Sequence, residues 1–285
     1  MKSKVNFLVL LGLLIGMAYT SDAQILDSPR DGVFDEINLP DKKPLSYYPV
    51  READVVWRKR IWRIIDLRQK MNQPFYYPET RQKGMKNFMT VLMDALREGT
   101  ITAYDATNDD QFLVPMTYQE IESKLTSTDT IPIYDPNNPD IILKYEVSQK
   151  DFDPSTVDRI KLKEDWFFDK QRSVMDVRIL GICPVQTLND EQTGAFIGFV
   201  NLFWIYFPEA RPIFAKSIVF NRQNSAMNRT YDELFMNRLF SSYIYKDDNV
   251  YGRDISEYAL GMDALLEAQR IKGEISEFEN ELWDY

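Results

Sequence analysis

Hydrophobic and polar residues alternate most regularly near the middle of the chain, from Asp158 to Phe168. The apolar residues that share one face of this segment are Ile160, Leu162, Trp166 and Phe168. Charged residues occupy the alternate positions between Arg159 and Asp165. This period of two predicts a half-buried β-strand.

Two more apolar segments follow this strand and are separated from it by polar turns. The turn Asp169–Arg172 leads into an alternating segment, Ser173–Cys183, which predicts a returning strand. After the turn Asn189–Gly194, the run Phe196–Phe207 is almost wholly apolar, which is typical of a central strand buried on both faces. Residues 158–207 therefore predict an antiparallel meander of three strands.

Other segments repeat their apolar residues every three to four positions, which predicts amphipathic helices. In the longest, Ala53–Asn72, the stripe consists of Trp57, Ile61, Ile64, Ile65 and Met71. Further helices are predicted over residues 79–98 with Gly99 as the stop, over Tyr118–Leu125, over Asp232–Tyr243, and over Arg253–Trp283 with a candidate break at Gly273. Thr117 and Glu120 have the spacing of a capping box at the start of one of them.

The remaining segments complete an α+β prediction for residues 51–285. Ile101–Tyr104 is typical of a short strand, and Thr126–Asp140 of a turn-rich connection. We expect helices packed around a small antiparallel sheet. A division into two subdomains, at about 51–150 and 151–285, is a second way to organise the same core.

The N-terminus has the pattern of an export signal. Lys2 and Lys4 precede a short apolar run, and small residues stand at Ser21 and Ala23. This pattern predicts a signal peptide over residues 1–23, cleaved before Gln24. The alternative is a membrane anchor, but the apolar run of ~14 residues is shorter than the ~20 that span a bilayer.

Residues 24–50 form a proline-rich arm without helical or strand period. The arm nevertheless contains apolar residues that a flexible linker does not need, including Phe34, Tyr47 and Tyr48. We expect an extended segment that docks on its own domain or on a neighbouring molecule. A simple tail is the alternative.

Composition excludes several kinds of catalytic chemistry. The 285 residues include no histidine and one cysteine, and the net charge is −10. A Ser-His-Asp triad, a Cys/His zinc site and an internal disulfide therefore cannot be built. The acidic balance also argues against binding to duplex nucleic acid, which needs a basic surface. We expect neither a metal nor a cofactor.

The remaining reactive side chains favour structural roles. Glu164 and Asp165 are adjacent in a predicted strand, so they point to opposite faces and cannot flank one substrate bond. We expect Glu164 to be buried and paired with Arg178 or Arg172. Cys183, which has no histidine base, is expected to be a small buried core residue.

Charged residues of opposite sign cluster near the two ends of the predicted core. The basic cluster consists of Arg58, Lys59, Arg60 and Arg63, and the acidic one of Glu274, Glu277, Glu279 and Glu281. The two clusters are candidate docking surfaces for partners or for other copies of the chain. The alternatives are solvated helix faces, or a contact between the two clusters within one molecule.

Two segments resemble the signatures of the GldN/PorN family of gliding-motility and type IX secretion proteins. The first is Trp62–Pro74, with Tyr76-Tyr77-Pro78 directly after it. The second is Glu164–Ser173 together with Arg178–Pro184. The similarity extends over residues 46–251, so the arm and the acidic C-terminal segment lie largely outside it.

This resemblance implies a non-enzymatic structural role in the bacterial envelope. It implies a periplasmic protein at the inner face of the outer membrane, which forms a ring with other copies and with a GldK/PorK-like lipoprotein. The ring is expected to couple to the GldL/GldM motor, in which GldM/PorM is the periplasmic partner. The alternatives from other classes are a periplasmic glycan-processing enzyme and a glycan- or peptide-binding module.

Overall fold

The computed structural model describes residues 42–282, with residues 127–150 described by their backbone. The gaps are residues 83, 108–109, 136–137, 151, 191–192, 222–223 and 225–227. Within the described residues the strands are β1 (Val55–Asp66), β2 (Ala103–Tyr104), β3 (Pro115–Met116), β4 (Ser127–Asp135), β5 (Asn138–Lys150), β6 (Val157–Asp169), β7 (Val174–Asn189), β8 (Phe196–Asn201), β9 (Trp204–Tyr206) and β10 (Tyr243–Asp247). The helices are α1 (Gln73–Tyr76), α2 (Phe88–Arg97), α3 (Tyr118–Leu125), α4 (Phe207–Lys216), α5 (Tyr231–Met236), α6 (Ile255–Tyr258) and α7 (Met262–Glu281).

Eight of the described strands form one antiparallel sheet in the order β10-β1-β6-β7-β9-β2-β3, with β8 also paired to β7. β4 and β5 form a separate two-stranded sheet. The long strands β1, β6 and β7 lie at the centre. The α+β class is confirmed, but the sheet is larger than the small one predicted.

The predicted helix over Ala53–Asn72 is wrong, because residues 55–66 form strand β1. β1 pairs with β10 on one side and with β6 on the other. Five consecutive residues, from Ile61 to Ile65, are buried. A strand covered on both faces loses its period of two, and apolar residues four and eight apart then fit a helix equally well.

The meander prediction is confirmed for two of its strands and wrong for the third. β6 and β7 pair over most of their length, and β7 continues past Cys183 to Asn189. The run Phe196–Phe207 is not one buried strand, since it breaks at Leu202-Phe203 into β8 and β9 and continues into α4. Residues of β8 are largely exposed, and among the described strands β8 pairs with β7 alone.

The connection predicted over Thr126–Asp140 is also different, because β4 and the start of β5 occupy most of it. β4 ends at Asp135 and β5 begins at Asn138, so both of these strand ends fall inside the predicted connection. The proline residues Pro132 and Pro139 lie within strands that pair on one side only among the described residues. Proline is tolerated at such edges because no ladder hydrogen bond is lost on the open side.

The helix prediction was accurate where the sequence analysis had identified a capping box. α3 covers Tyr118–Leu125 with the predicted capping box, in which the Glu120 carboxylate accepts from the Thr117 amide at 2.8 Å. The predicted helix over 79–98 begins only at Phe88, and Gly99 beyond its end has φ of +67°. The predicted break at Gly273 is wrong, because α7 is continuous there.

The C-terminal break lies earlier, at Gly261, whose φ of +58° separates α6 from α7. The helix predicted over Asp232–Tyr243 is shorter than expected, because α5 ends at Met236 and the chain continues into β10. Leu239 and Phe240, which fitted its helical pattern, pack on the core from the loop between them.

Aromatic residues from several elements form the largest core cluster, between the sheet and helices α1, α2, α4 and α5. Its fully buried rings are Phe75, Phe203, Phe207, Phe214, Tyr231 and Phe235. A second cluster joins Ile61 of β1 to Ile271 and Ile275 of α7. The C-terminal helix is therefore held against the sheet by apolar contacts.

Candidate partner-binding surface

Strand β1 divides the four basic candidate residues between the two faces of the sheet. Neighbouring residues of a strand point to opposite faces. Lys59 and Arg63 therefore share the face that packs on α7, and Arg58 and Arg60 share the other. A single basic face, as the predicted helix would have presented, is not formed.

On the face of the sheet away from α7, Arg60 and Arg58 contact the carboxylate of Asp165 from the neighbouring strand β6. Arg60 Nε donates to Asp165 Oδ1 at 2.7 Å, and Arg60 lies directly opposite Asp165 in the ladder. This hydrogen bond raises the pKa of the Arg60 guanidinium. Arg58 Nη1 lies 3.9 Å from the same carboxylate, but the side chain remains 55% exposed. Arg58 is thus the most accessible of the four basic residues.

On the face that packs on α7, the basic strand β1 contacts the acidic helix α7 within one molecule. Lys59 Nζ lies 3.5 Å from Glu274 Oε2 of α7 and 3.5 Å from Asp247 Oδ2 of β10. Next to this contact, the rings of Trp57 and Phe278 stack at 4.7 Å. The internal contact considered as an alternative for these clusters is therefore formed by this one lysine.

Arg63 is buried on the same face and donates from Nε to Ser242 Oγ at 2.9 Å. Burial lowers the pKa of its guanidinium, and the charge of Glu164 opposes this effect. Glu277 and Glu281, by contrast, are exposed on the outer side of α7. Of the charged candidates, Arg58, Glu277 and Glu281 are therefore open to solvent.

The inner arm, defined as residues 42–50, lies against the same molecule in the described structure. Lys42 Nζ is 2.5 Å from Glu233 Oε1, and the Tyr47 hydroxyl contacts Met236 Sδ at 3.6 Å. The carbonyl of Tyr48 accepts a hydrogen bond from Arg178. Phe34, the other aromatic candidate of the arm, lies outside the described residues.

Three arginines form the surface on which the aromatic residues of the inner arm rest. The guanidinium carbons of Arg211 and Arg178 lie 4.4 and 5.0 Å from the Tyr47 ring centroid, and that of Arg172 lies 4.7 Å from the Tyr48 ring centroid. Arg211 is itself buried and paired with Asp232 at 2.8 Å. The arm thus covers a buried ion pair, and burial raises the pKa of Tyr47.

We expect Tyr47→Ala to lower the free energy of unfolding by about 1–2 kcal/mol, because it removes a half-buried ring and two cation–π contacts. Tyr47→Phe retains the ring and should cost less than about 0.5 kcal/mol. Urea unfolding monitored by circular dichroism measures both variants. Equal losses in the two would show that the hydroxyl, not the ring, holds the arm.

The carboxylate pair has the opposite-face geometry predicted for it, but a different arginine. Glu164 is fully buried, and its Oε1 lies 3.0 Å from Arg238 Nη1. Trp166 Nε1 donates to Glu164 Oε2 at 3.2 Å. The expected partners were Arg178 and Arg172, but Arg178 contacts the inner arm and Arg172 pairs with Asp169 and Asp176. Arg238 was missed because it follows α5, far from Glu164 in the sequence.

Cys183 is fully buried, as predicted, in a small cluster with Trp62 and Trp204. Burial raises the pKa of its thiol to about 12, so the thiolate that reacts or binds metals is scarce at neutral pH. Among the described residues, no group of three or more acidic or cysteine side chains is placed to hold a metal ion. A helix both long and apolar enough to cross a bilayer is likewise absent from the described part of the chain.

Sequence reasoning missed Arg172, Arg178 and Arg211 as the contact surface of the inner arm. The tyrosines in a proline-rich segment signalled docking, but nothing in the local pattern indicated where. The three arginines come from the β6–β7 turn, from β7 and from α4, and only the folded chain brings them together.

These features define an α+β protein whose candidate site is a surface of charged and aromatic side chains. The chain belongs to the GldN family, since the family model described as gliding motility associated protein GldN matches residues 50–284. The family is associated with gliding motility, and it is not a known family of enzymes. A search of curated proteins finds no match to the chain.

Proposed function

We propose that this protein is a non-enzymatic structural subunit of the periplasmic ring of the type IX secretion and gliding apparatus. The observation that carries the proposal is the family match over residues 50–284. The predicted signal peptide supports export to the periplasm. In this proposal the chain lies beneath the outer membrane and contacts the membrane only through a GldK/PorK-like lipoprotein.

The proposed partners are the lipoprotein, other copies of the chain, and a GldM/PorM-like motor protein. A closed ring needs two different surfaces that meet head to tail. Arg58 on the sheet and Glu277 and Glu281 on α7 are exposed and opposite in charge, which suits such a contact. Tyr47 and Tyr48 contribute indirectly in this scheme, by holding the root of the arm while Phe34 and its neighbours reach a partner.

Light scattering coupled to size exclusion tests the proposal. The mature chain, residues 24–285, is measured alone and with the soluble domain of the lipoprotein. We expect large complexes that contain both proteins in a constant ratio. A chain that forms no complex with the lipoprotein would contradict the proposal. Hydrolysis of a periplasmic glycan by the isolated chain would favour the enzyme alternative.

Charge reversal tests which exposed residues set the contact between subunits. We expect Arg58→Glu to weaken assembly by up to about fivefold, since an exposed ion pair contributes about 0–1 kcal/mol. Glu277→Lys/Glu281→Lys in the same chain should restore part of the loss. Assembly is measured by sedimentation at low salt, where screening is weakest.

The matched control is Lys59→Glu, because Lys59 already pairs inside the molecule with Glu274 and Asp247. This change should lower monomer stability more than Arg58→Glu does. If Arg58→Glu assembles like the parent at low salt, Arg58 does not lie at a contact between subunits.

A further inference from the structure

The inner arm runs along helix α5. Lys42 Nζ lies 2.5 Å from Glu233 Oε1, in the first turn of α5. The Tyr47 hydroxyl contacts the sulfur of Met236, the last residue of this helix. The arm therefore follows α5 from its N-terminal end to its C-terminal end. The chain that precedes Lys42 consequently joins the inner arm at the N-terminal end of α5.

A cavity of about 790 Å³ opens at this end of α5. It is lined by Leu234, which follows Glu233, and by Arg229, which directly precedes the N-cap Thr230. A cavity of this size falls within the range of roughly 300–1,000 Å³ that is usual for binding pockets. The other apolar residues of its lining are Pro74, Tyr77, Val219 and Phe220.

The cavity is cationic as well as apolar. Lys70 and Arg229 line it, and neither forms an ion pair with a carboxylate among the described residues. The two acids in the first turn of α5, Asp232 and Glu233, are already paired with other cations. An occupant that suits this cavity therefore combines apolar side chains with a carboxylate of its own.

The segment directly before the inner arm has this combination. Its sequence is Asn38-Leu39-Pro40-Asp41, so two apolar residues are followed by an acid. Four residues span up to about 14 Å when extended, which lets Leu39 enter the cavity while Lys42 stays on Glu233. A segment tethered so closely has an effective concentration on the order of millimolar, which favours it over a free ligand or a second copy.

We propose that residues 38–41 of the same chain occupy this cavity, with Leu39 against its apolar lining and Asp41 facing Arg229. This contact extends the docked part of the arm past the N-terminal end of α5 and leaves Phe34 on the free part of the arm. The inference goes beyond the proposed ring and does not depend on it, because the contact lies within one molecule.

Thiol labelling of the mature chain, residues 24–285, tests this docking. A maleimide is added to Leu39→Cys, and mass spectrometry of the peptides follows the label at this position. The matched control is Leu45→Cys, since Leu45 belongs to the inner arm and is 84% exposed. We expect Leu39→Cys to react at least about tenfold more slowly than the control, because a docked side chain must leave the cavity before it reacts. Equal rates would overturn the inference.

Charge reversal in the Leu39→Cys background tests the contact with Arg229. Each rate is divided by the rate of the same variant in urea, which removes the effect of nearby charges on the thiol itself. Asp41→Lys and Arg229→Glu should each speed labelling by about two- to fivefold, as expected for a partly exposed ion pair. The two changes together should restore part of the protection, since the pair then forms with exchanged charges.

The control for these changes is Asp263→Lys, which reverses an exposed acid on α7 and should leave labelling unaltered. Circular dichroism checks folding, and Lys70→Glu, at an exposed residue of the same cavity, replaces Arg229→Glu if that variant unfolds. Unaltered labelling in Asp41→Lys, or a double variant without restored protection, would overturn the inference. Protection that disappears on dilution would do the same, because it would assign the cavity to the arm of a second copy.

Discussion

Phe235→Ala is expected to lower the free energy of unfolding by about 3–5 kcal/mol. Phe235 is 1% exposed and lies at the centre of the aromatic cluster. Its ring centroid is 5.1 Å from that of Phe75, 5.5 Å from Phe207 and 5.9 Å from Phe214. The substitution removes apolar area from the core and leaves a cavity that these rigid rings cannot fill.

Chemical denaturation followed by tryptophan fluorescence measures this loss. Tyr251→Ala is the control, because Tyr251 is 77% exposed and should change stability by less than about 0.5 kcal/mol. Phe235→Leu should fall between the two. If Phe235→Ala costs no more than the control, the cluster closes around the missing ring and is not rigidly packed.

Asp232→Ala should cost about 3–5 kcal/mol, because it leaves the guanidinium of Arg211 buried without a counter-charge. The two side chains form two hydrogen bonds, from Arg211 Nε at 2.8 Å and Nη2 at 3.2 Å. The inner arm covers the pair through Tyr47, so water does not reach Arg211 freely. The same reasoning predicts that Asp232→Ala also weakens the packing of the inner arm on Arg211.

The double variant Arg211→Met/Asp232→Leu separates the cost of an unpaired charge from the value of the pair. Replacing a buried pair by apolar residues is often close to neutral, so the double variant should be more stable than Asp232→Ala. Asp263→Ala is the control, since Asp263 occupies the first turn of α7 as Asp232 does that of α5, but is exposed. Equal stability of all three variants would contradict the argument.

Where the structure depends on neighbouring residues, the prediction from sequence was accurate. The capping box at Thr117 and Glu120 satisfies backbone groups within four residues, and α3 has the predicted bounds. The alternation in residues 158–168 likewise predicted a strand, and β6 forms there, although both of its faces are covered, since Lys163 and Phe167 are buried as well as Ile160 and Leu162.

β1 could not be recognised in the same way. Its residues Ile61–Ile65 are buried on both faces because α7 and the aromatic core cover one side and the Trp62 cluster the other. Those covering elements lie far away in the chain. The opposite error occurred in β8, where an apolar run suggested burial, while the structure leaves its outer edge open.

The candidate site was partly predictable as a set of residues, but not as a set of contacts. Tyr47 and Tyr48 were identified as docking residues, yet Arg178 and Arg211, which they contact, were not. Lys59 and Glu274 were assigned to separate surfaces, and they meet although 215 residues separate them in the chain.

The sequence by itself determined the α+β class, the paired strands β6 and β7, the capped helix α3, the buried Cys183 and the family. Only the tertiary structure decided that residues 55–66 form a strand, that this strand sends Arg58 and Lys59 to opposite faces, and that Glu164 pairs with Arg238. The physical reason is the separation along the chain between the residues that interact. A local pattern reports how a segment satisfies its own backbone and its nearest face, whereas the partner of a buried charge and the cover of a second face come from distant segments.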